Sequence, residues 1–157
     1  TKESARFKPL GIHILPSGDE NAVHWFLDDK VDTRSSNYLE DAATEIQVQG
    51  LELDYTCLLW DADMRYENGE WHFYKFNGHS KWNEQIAADG ENKKELQKYM
   101  LNAYRVLLTR ARSGMVICVP FGNGNKTSTG FWEDSTRLPE YYNGTYEYLK
   151  SLGIEEI

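Results

Sequence analysis

Two short apolar runs, one on each side of a long amphipathic segment, most constrain how this chain can fold. Residues 55–60 (YTCLLW) and 115–119 (MVICV) are continuous runs rich in strand-forming residues. Such runs are typical of strands that are buried on both faces of a parallel sheet. Between them, residues 91–112 predict a helix with one apolar stripe, formed by Leu96, Met100, Ala103, Leu107 and Ala111. The order strand, helix, strand predicts a layered α/β sheet.

The segments around this unit give weaker signals. Residues 11–15 predict a short strand, and residues 21–30 and 35–43 predict two helices, the second with Ser35 or Ser36 as its N-cap. Asn68-Gly69 is a strong hairpin turn signal. The alternating apolar residues around that turn therefore predict a hairpin inserted into the α/β core.

The C-terminal third contains clear signals for where helices and loops begin and end. Ser113-Gly114 is expected to end the long helix. Residues 121–139 are rich in Gly, Asn, Thr and Ser and predict a loop. Residues 141–152 predict a final short helix, with Gly153 just beyond its end.

Composition limits the class of protein. A chain of 157 residues with 40% hydrophobic and 13% aromatic residues can form one domain with a real core. A net charge of −8 argues against a freestanding domain that binds phosphate backbones over its whole surface. No apolar stretch approaches the roughly 20 residues of a membrane span, and we expect a cytoplasmic protein with no membrane contact. Cys57 and Cys118 each lie in an apolar run and are expected to be buried, reduced thiols.

Two motifs could carry chemistry. Residues 44–54 (TEIQVQGLELD) precede the first apolar run, and residues 104–112 (YRVLLTRAR) end the long helix. In this order they resemble motifs V and VI of superfamily 1 helicases. The chain is still more similar to a bacterial family, the Schlafen group 3-like DNA/RNA helicase domain. That likeness covers about residues 34–153 and also includes WDADMR at 60–65, DSTR at 134–137 and YEYL at 146–149.

The resemblance implies a fold of two RecA-like domains with ATP bound between them. This chain resembles the second domain only, so residues 1–157 are expected to form a single C-terminal RecA-like domain, an α/β layered sheet with a hairpin insertion. The sequence contains no G-x-x-x-x-G-K-[S/T] phosphate loop. ATP and its Mg²⁺ would therefore be bound mainly by an upstream RecA-like domain of the same protein, and the chain alone is expected not to hydrolyse ATP. Single-stranded DNA or RNA is the implied partner.

Motif VI places Arg110 at the family's arginine position. A guanidinium delivered across the cleft stabilises charge on the γ-phosphate in phosphoryl transfer. On a helical wheel Arg110 lies beside Ala103 and Leu107, at the edge of the apolar stripe, where a buried cation needs an anion. A salt bridge to a local carboxylate is the structural alternative. Arg112 is a second candidate ATP ligand; a solvated helix end is the alternative for it.

Motif V supplies the other expected contacts. Gln49, Gly50 and Glu52 are candidate ATP-binding residues: Gly50 would let the backbone approach a ligand, and Glu52 would accept a hydrogen bond from the ribose. An exposed turn carboxylate is the alternative for Glu52. Thr44 corresponds to the residue that contacts a nucleic-acid phosphate. Ile46 departs from the pattern, since many of these helicases have His there.

Two rival functions stay open. One is a non-catalytic nucleic-acid or protein binding module on the same fold. The other is a Mg²⁺-dependent nuclease built from Asp61 and Asp63, with Glu45 or Glu52. The histidines show no ligand spacing, so no resident metal site is expected. Four of the tryptophans could stack bases, although such residues are more often core: Trp60, Trp71, Trp82 and Trp132.

Overall fold

The computed structural model describes residues 6–16, 19–77, 81–84, 90–131 and 133–157. It contains helices and several small sheets, which confirms a mixed α/β protein. The chain divides into two compact units, Thr1–Leu51 and Glu52–Ile157. The boundary falls inside motif V.

The first unit is organised around a minimal parallel sheet. β1 (His13–Ile14) pairs with β2 (Asp41–Ala42), and the N–H of Leu15 extends the ladder to the carbonyl of Ala42 at 2.9 Å. Between the strands lies α1 (Asp19–Leu27), close to the predicted helix at 21–30. The indole N–H of Trp25 on α1 donates to the carbonyl of Asp41 at 2.9 Å, and so ties the helix to β2.

The helix predicted at residues 35–43 is wrong. Ser35 does act as an N-cap, since its hydroxyl accepts a hydrogen bond from the N–H of Asn37 at 3.4 Å. However, only one 3-10 turn follows, Ser36–Tyr38, because Leu39 adopts a left-handed conformation with φ 57°. The chain then extends into β2, where pairing with β1 outweighs the local helical pattern.

The second unit contains the predicted parallel strands. β3 (Leu53–Leu59) pairs in parallel with β7 (Ala111–Cys118), and α2 (Gly90–Leu108) connects the intervening hairpin region to β7. Leu58 and Ile117 are direct partners in the register. Both belong to a hydrophobic cluster that also contains the buried residues Trp60, Met64, Phe73 and Tyr104.

The burial predicted for these strands is wrong on one face. Tyr55 is 76% exposed, and Cys57 and Cys118 are exposed free thiols. Alternate residues of a strand point to opposite faces, and only the face with Leu58 and Ile117 packs into the core. An apolar run therefore predicted the strand correctly but not the environment of its cysteines.

The long helix ends earlier than predicted. α2 stops at Leu108, and the hydroxyl of Thr109 donates to the carbonyl of Arg105 at 2.9 Å. Ala111 already pairs with Leu53, so Ser113-Gly114 lie inside β7 instead of ending the helix. A helical wheel consequently does not apply to Arg110 or Arg112.

The hairpin insertion is confirmed as part of a three-stranded antiparallel sheet. β4 (Met64–Glu67), β5 (Glu70–Asn77) and β6 (Lys81–Glu84) follow one another in the sheet. The turn between β4 and β5 has φ 53° at Asn68 and φ 88° at Gly69. Two successive positive φ angles define the type I′ turn that the Asn-Gly pair predicts.

The final helix, α3 (Glu140–Ser151), matches the prediction, and Gly153 beyond it has φ 85°. α3 packs against β4. The three sheets have two, two and three strands. In the described part of the chain, no helix has the length and apolar character needed to cross a membrane.

Candidate functional site

The start of the β3–β7 pair brings the end of motif V and the end of motif VI together. The N–H of Leu53 donates to the carbonyl of Arg110 at 3.1 Å, and Leu53 is the register partner of Ala111. Glu52 and Arg110 each stand one residue before their strand, at the same end of the pair. Glu52 and Arg110, 58 positions apart in the sequence, thus lie at the same end of the strand pair.

Arg110 lies on the two-residue connection between α2 and β7. Its N–H donates to the carbonyl of Leu107 at 3.3 Å, which continues the last helical turn before the chain extends. The side chain is half-buried. A partly buried Arg110 agrees with the prediction. The burial results from the position of Arg110 on this connection and not from an apolar stripe on a helix.

Arg112 is on β7 and contacts two carboxylates. Its Nη2 lies 2.9 Å from Oδ1 of Asp54, and its Nη1 lies 3.8 Å from Oε2 of Glu52. All three side chains are largely exposed, and an exposed ion pair contributes only about 0–1 kcal/mol. The structure therefore joins two predicted ATP ligands, Glu52 and Arg112, to each other and adds Asp54, which sequence reasoning missed.

The remaining motif V residues belong to the first unit. The N–H and the hydroxyl of Thr44 both donate to Oε1 of Gln47, at 2.8 Å and 3.0 Å, and Nε2 of Gln47 donates to the carbonyl of Leu15 at 3.3 Å. The N–H of Gln49 donates to the carbonyl of Ile46 at 3.3 Å. Gln47 thus fixes the turn that carries Thr44 and Gln49.

Gly50 has φ 82°, and a Cβ placed there would meet nothing within 4 Å. Glycine is therefore required by the left-handed backbone and not by crowding within the described chain.

A second cluster lies at the other end of β3. Oδ1 of Asp61 accepts a hydrogen bond from the N–H of Ala62 at 2.8 Å, and the hydroxyl of Tyr104 donates to Oδ1 of Asp63. Burial raises the pKa of Asp63, and the negative charge of Asp61 adds to that rise. Burial and the Asp63 carboxylate also hold the pKa of Tyr104 well above its usual range, so the phenol stays a donor.

This geometry separates Glu52 from the two aspartates of the nuclease alternative. Glu52 precedes β3 whereas Asp61 follows it, and seven residues of strand span about 20 Å. Among the described residues there is no group of three or more His, Cys, Asp or Glu side chains arranged to hold a metal ion.

A third cluster surrounds Arg65, which sequence reasoning did not single out. Arg65 is 3% exposed, its Nε donates to the carbonyl of Ala62 at 2.7 Å, and its guanidinium carbon lies 3.8 Å and 3.7 Å from the ring centres of Tyr74 and Tyr141. Its Nη1 lies 3.7 Å from Oε1 of Glu67. Burial lowers the pKa of Arg65, and the aromatic faces and Glu67 offset part of that cost. The sequence did contain a signal for the contact between Arg65 and Glu67, because the alternation of the predicted hairpin places residues 65 and 67 on the same face.

The tryptophans are mostly structural. Trp60 is buried and its indole N–H donates to the carbonyl of Met64 at 2.8 Å, while Trp71 stacks on it with ring centres 5.7 Å apart. Trp82 donates to the carbonyl of Thr136 at 2.7 Å. Trp132 lies outside the described residues. The stacking alternative therefore gains no support from Trp60 or Trp71.

The DSTR segment forms a self-contained turn. Asp134 accepts hydrogen bonds from the hydroxyl of Thr136 at 2.6 Å and from Nε of Arg137 at 2.7 Å. Burial alone would raise the pKa of Asp134, but these hydrogen bonds and the Arg137 charge outweigh it, and the pKa is lowered. The segment orders its own loop.

Comparison with known proteins bears on the motif region directly. Residues 4–120 match the family described as Schlafen group 3, DNA/RNA helicase domain. The match includes both motifs, β3 to β7 and α2, and it stops before the loop that leads to α3. Searches among curated proteins and among solved structures found no match. The matched residues make up well over half of the chain, which therefore belongs to the Schlafen group 3 DNA/RNA helicase domain family.

Proposed function

We propose that this chain is the second RecA-like domain of a nucleic-acid-dependent ATPase, and that it completes an ATP cleft formed with an upstream domain of the same protein. The observation that carries the proposal is the hydrogen bond from the Leu53 N–H to the Arg110 carbonyl. That bond joins the ends of the two motifs that resemble motifs V and VI. Membership of a helicase-domain family supports the same reading.

In this proposal Arg110 is the arginine finger. The γ-phosphoryl group accumulates charge on its oxygens during transfer, and a cation fixed in advance stabilises that charge without reorganisation. Arg110 suits the role because its backbone is held at the start of β7 by Leu53 and by Leu107. Mg²⁺, bound with ATP mainly by the upstream domain, would neutralise the phosphates from the other side.

The other residues have supporting roles in the proposed cleft. Gln49 and the open backbone at Gly50 would lie along the nucleotide, and Glu52 would accept a hydrogen bond from the ribose. Arg112 would exchange its contact with Asp54 for a phosphate oxygen. This exchange costs little free energy because exposed ion pairs are weak. Thr44 would contact a phosphate of single-stranded DNA or RNA.

The test is ATP hydrolysis by the full-length parent protein, with and without single-stranded DNA or RNA. We would compare the wild type with Arg110→Ala and, as a matched control, Arg105→Ala. Arg105 is an exposed residue of α2 that contacts Asn102 through Nη1 at 3.2 Å. An arginine finger increases the rate of phosphoryl transfer by a factor of about 10³ to 10⁵.

The expected result is a nucleic-acid-stimulated rate that falls at least a hundredfold in Arg110→Ala and stays near wild type in Arg105→Ala, with both variants folded. An unchanged rate in Arg110→Ala would overturn the finger assignment. No hydrolysis by the wild type would favour the binding module, and nucleic-acid or protein capture would then become the measurement to make.

A further inference from the structure

Two hydrogen bonds hold α2 and the connection that follows it against the two ends of β3. At the start of the strand, the Leu53 N–H donates to the Arg110 carbonyl; beyond its end, the Tyr104 hydroxyl donates to Oδ1 of Asp63. The first bond fixes a residue two positions beyond the end of the helix, and the second fixes the helix about one turn before its end.

The Asp63 acceptor is itself held in place. Its backbone carbonyl accepts a hydrogen bond from the Tyr74 N–H of β5 at 2.7 Å. Tyr104 is 8% exposed, and its ring lies 4.5 Å from that of Trp60, in the core cluster that contains Met64 and Phe73. The pair therefore ties α2 to the antiparallel sheet as well as to β3.

We propose that Asp63 and Tyr104 are positioning residues: their hydrogen bond fixes α2 along β3 and so holds Arg110 in place, without either residue touching the nucleotide. Four helical residues lead from Tyr104 to Leu108, a rise of about 6 Å, and Arg110 follows two residues later on the connection to β7. A rotation or slide of α2 at Tyr104 is therefore carried to Arg110 with little loss. The catalytic consequence rests on the proposed function, whereas the structural consequence does not.

The experiment removes the bond from each side in the full-length protein. Tyr104→Phe deletes the donor, Asp63→Ala deletes the acceptor, and Asp63→Asn keeps an oxygen that can accept. Tyr38→Phe deletes a hydroxyl from a half-exposed tyrosine of the first unit and serves as the control. Two quantities are measured: amide hydrogen exchange at Leu53, and kcat and KM for ATP in the presence of single-stranded nucleic acid.

We expect the Leu53 amide to exchange about tenfold faster or more in Tyr104→Phe and Asp63→Ala, since losing a buried hydrogen bond allows opening of this order. Amides shared by β4 and β5 should keep their protection. We expect kcat to fall about tenfold or more with KM little changed, because a displacement of about 1 Å can cost up to about a hundredfold. Asp63→Asn should recover most of both effects, and Tyr38→Phe should produce neither.

The outcomes separate the two proposals. Unchanged exchange at Leu53 in a folded Tyr104→Phe variant would overturn the positioning role, whatever the ATPase rate. Uniformly faster exchange across the second unit would also overturn it, since that pattern means general destabilisation. Faster exchange at Leu53 alone, in a protein that does not hydrolyse ATP, would support the positioning role and count against the proposed function.

Discussion

The hydroxyl of Thr145 on α3 accepts a hydrogen bond from the backbone N–H of Tyr66 on β4, with the two atoms 3.1 Å apart. β4 pairs with β5 along one edge, and this contact occupies a donor on its other edge. The adjacent Gly144 allows the approach, because a Cβ at that position would collide with the Tyr66 carbonyl oxygen. A helix thus covers a strand edge that could otherwise pair with another chain.

Thr145→Val is expected to lower the free energy of unfolding by about 1–3 kcal/mol, the cost of leaving a buried donor without its acceptor. The substitution conserves the shape of a side chain that is almost fully buried. Urea unfolding of the two proteins measures the difference. Thr145→Ser keeps the hydroxyl and should lose less; if both variants lost the same amount, the hydrogen bond would not be the cause.

Gly144→Ala should destabilise the protein, by about 1–3 kcal/mol as in other overpacked sites. Helix propensity alone predicts the opposite sign, a gain of up to about 1 kcal/mol. Thermal and urea unfolding decide between the two. Asn143→Ala, at the exposed neighbouring position, is the control and should change stability by no more than about 0.5 kcal/mol; a stabilised Gly144→Ala would show that α3 does not approach β4 this closely.

Arg65→Lys should cost about 2 kcal/mol of stability, although it preserves the charge. Lysine has no Nε donor for the Ala62 carbonyl and no planar group to lie between Tyr74 and Tyr141. Chemical unfolding measures the loss, and Arg105→Lys on the exposed face of α2 provides the matched comparison. Equal stability of Arg65→Lys and wild type would mean that the aromatic contacts add nothing beyond charge.

Asp63 and Asp134 should change the pH dependence of the unfolding free energy in opposite directions. The pKa of Asp63 is raised above its ordinary 3.8, so the folded state holds that proton more tightly and its contribution to stability declines as pH rises from about 4 through the folded pKa. The pKa of Asp134 is lowered, so its contribution is present above pH 4 and is lost as pH falls through the folded value.

Neutral amides at the two positions make that difference measurable. Relative to wild type, Asp63→Asn should become more stabilising between pH 4 and pH 7, because it removes the cost of a buried charge. Asp134→Asn should become more destabilising over the same rise, because it removes a hydrogen-bonded carboxylate. Unfolding free energies at several pH values give both slopes, and slopes of the same sign would contradict at least one of the assigned environments.

The parts of the fold that were predictable are those fixed by local pattern. Asn68-Gly69 specifies its turn by itself, and the apolar runs specify strands β3 and β7. The exposure of Cys57 was not predictable, because it depends on what covers each face of a sheet. The helix predicted at residues 35–43 was wrong because Leu39 takes a left-handed conformation and the chain then pairs as β2 with β1, a contact that local pattern does not report.

The candidate site was also predictable only in part. The resemblance to helicase motifs V and VI indicated Glu52, Arg110 and Arg112, and the structure brings these three residues to one end of the β3–β7 pair. Asp54 was missed because an ion pair between strands depends on register, and a bulge lies between Leu53 and Tyr55. The roles assigned to Thr44, Gln49 and Gly50 stay predictions.

The exposed outer face of β3 and β7 has a practical consequence. Its two free thiols, Cys57 and Cys118, lie on adjacent strands, one on each, and a spin label or a fluorophore could be attached to either without unfolding the protein. Probes at these positions would leave Glu52 and Arg110 chemically intact. The face whose apolar sequence predicted burial is therefore the face to which reporter groups could be attached.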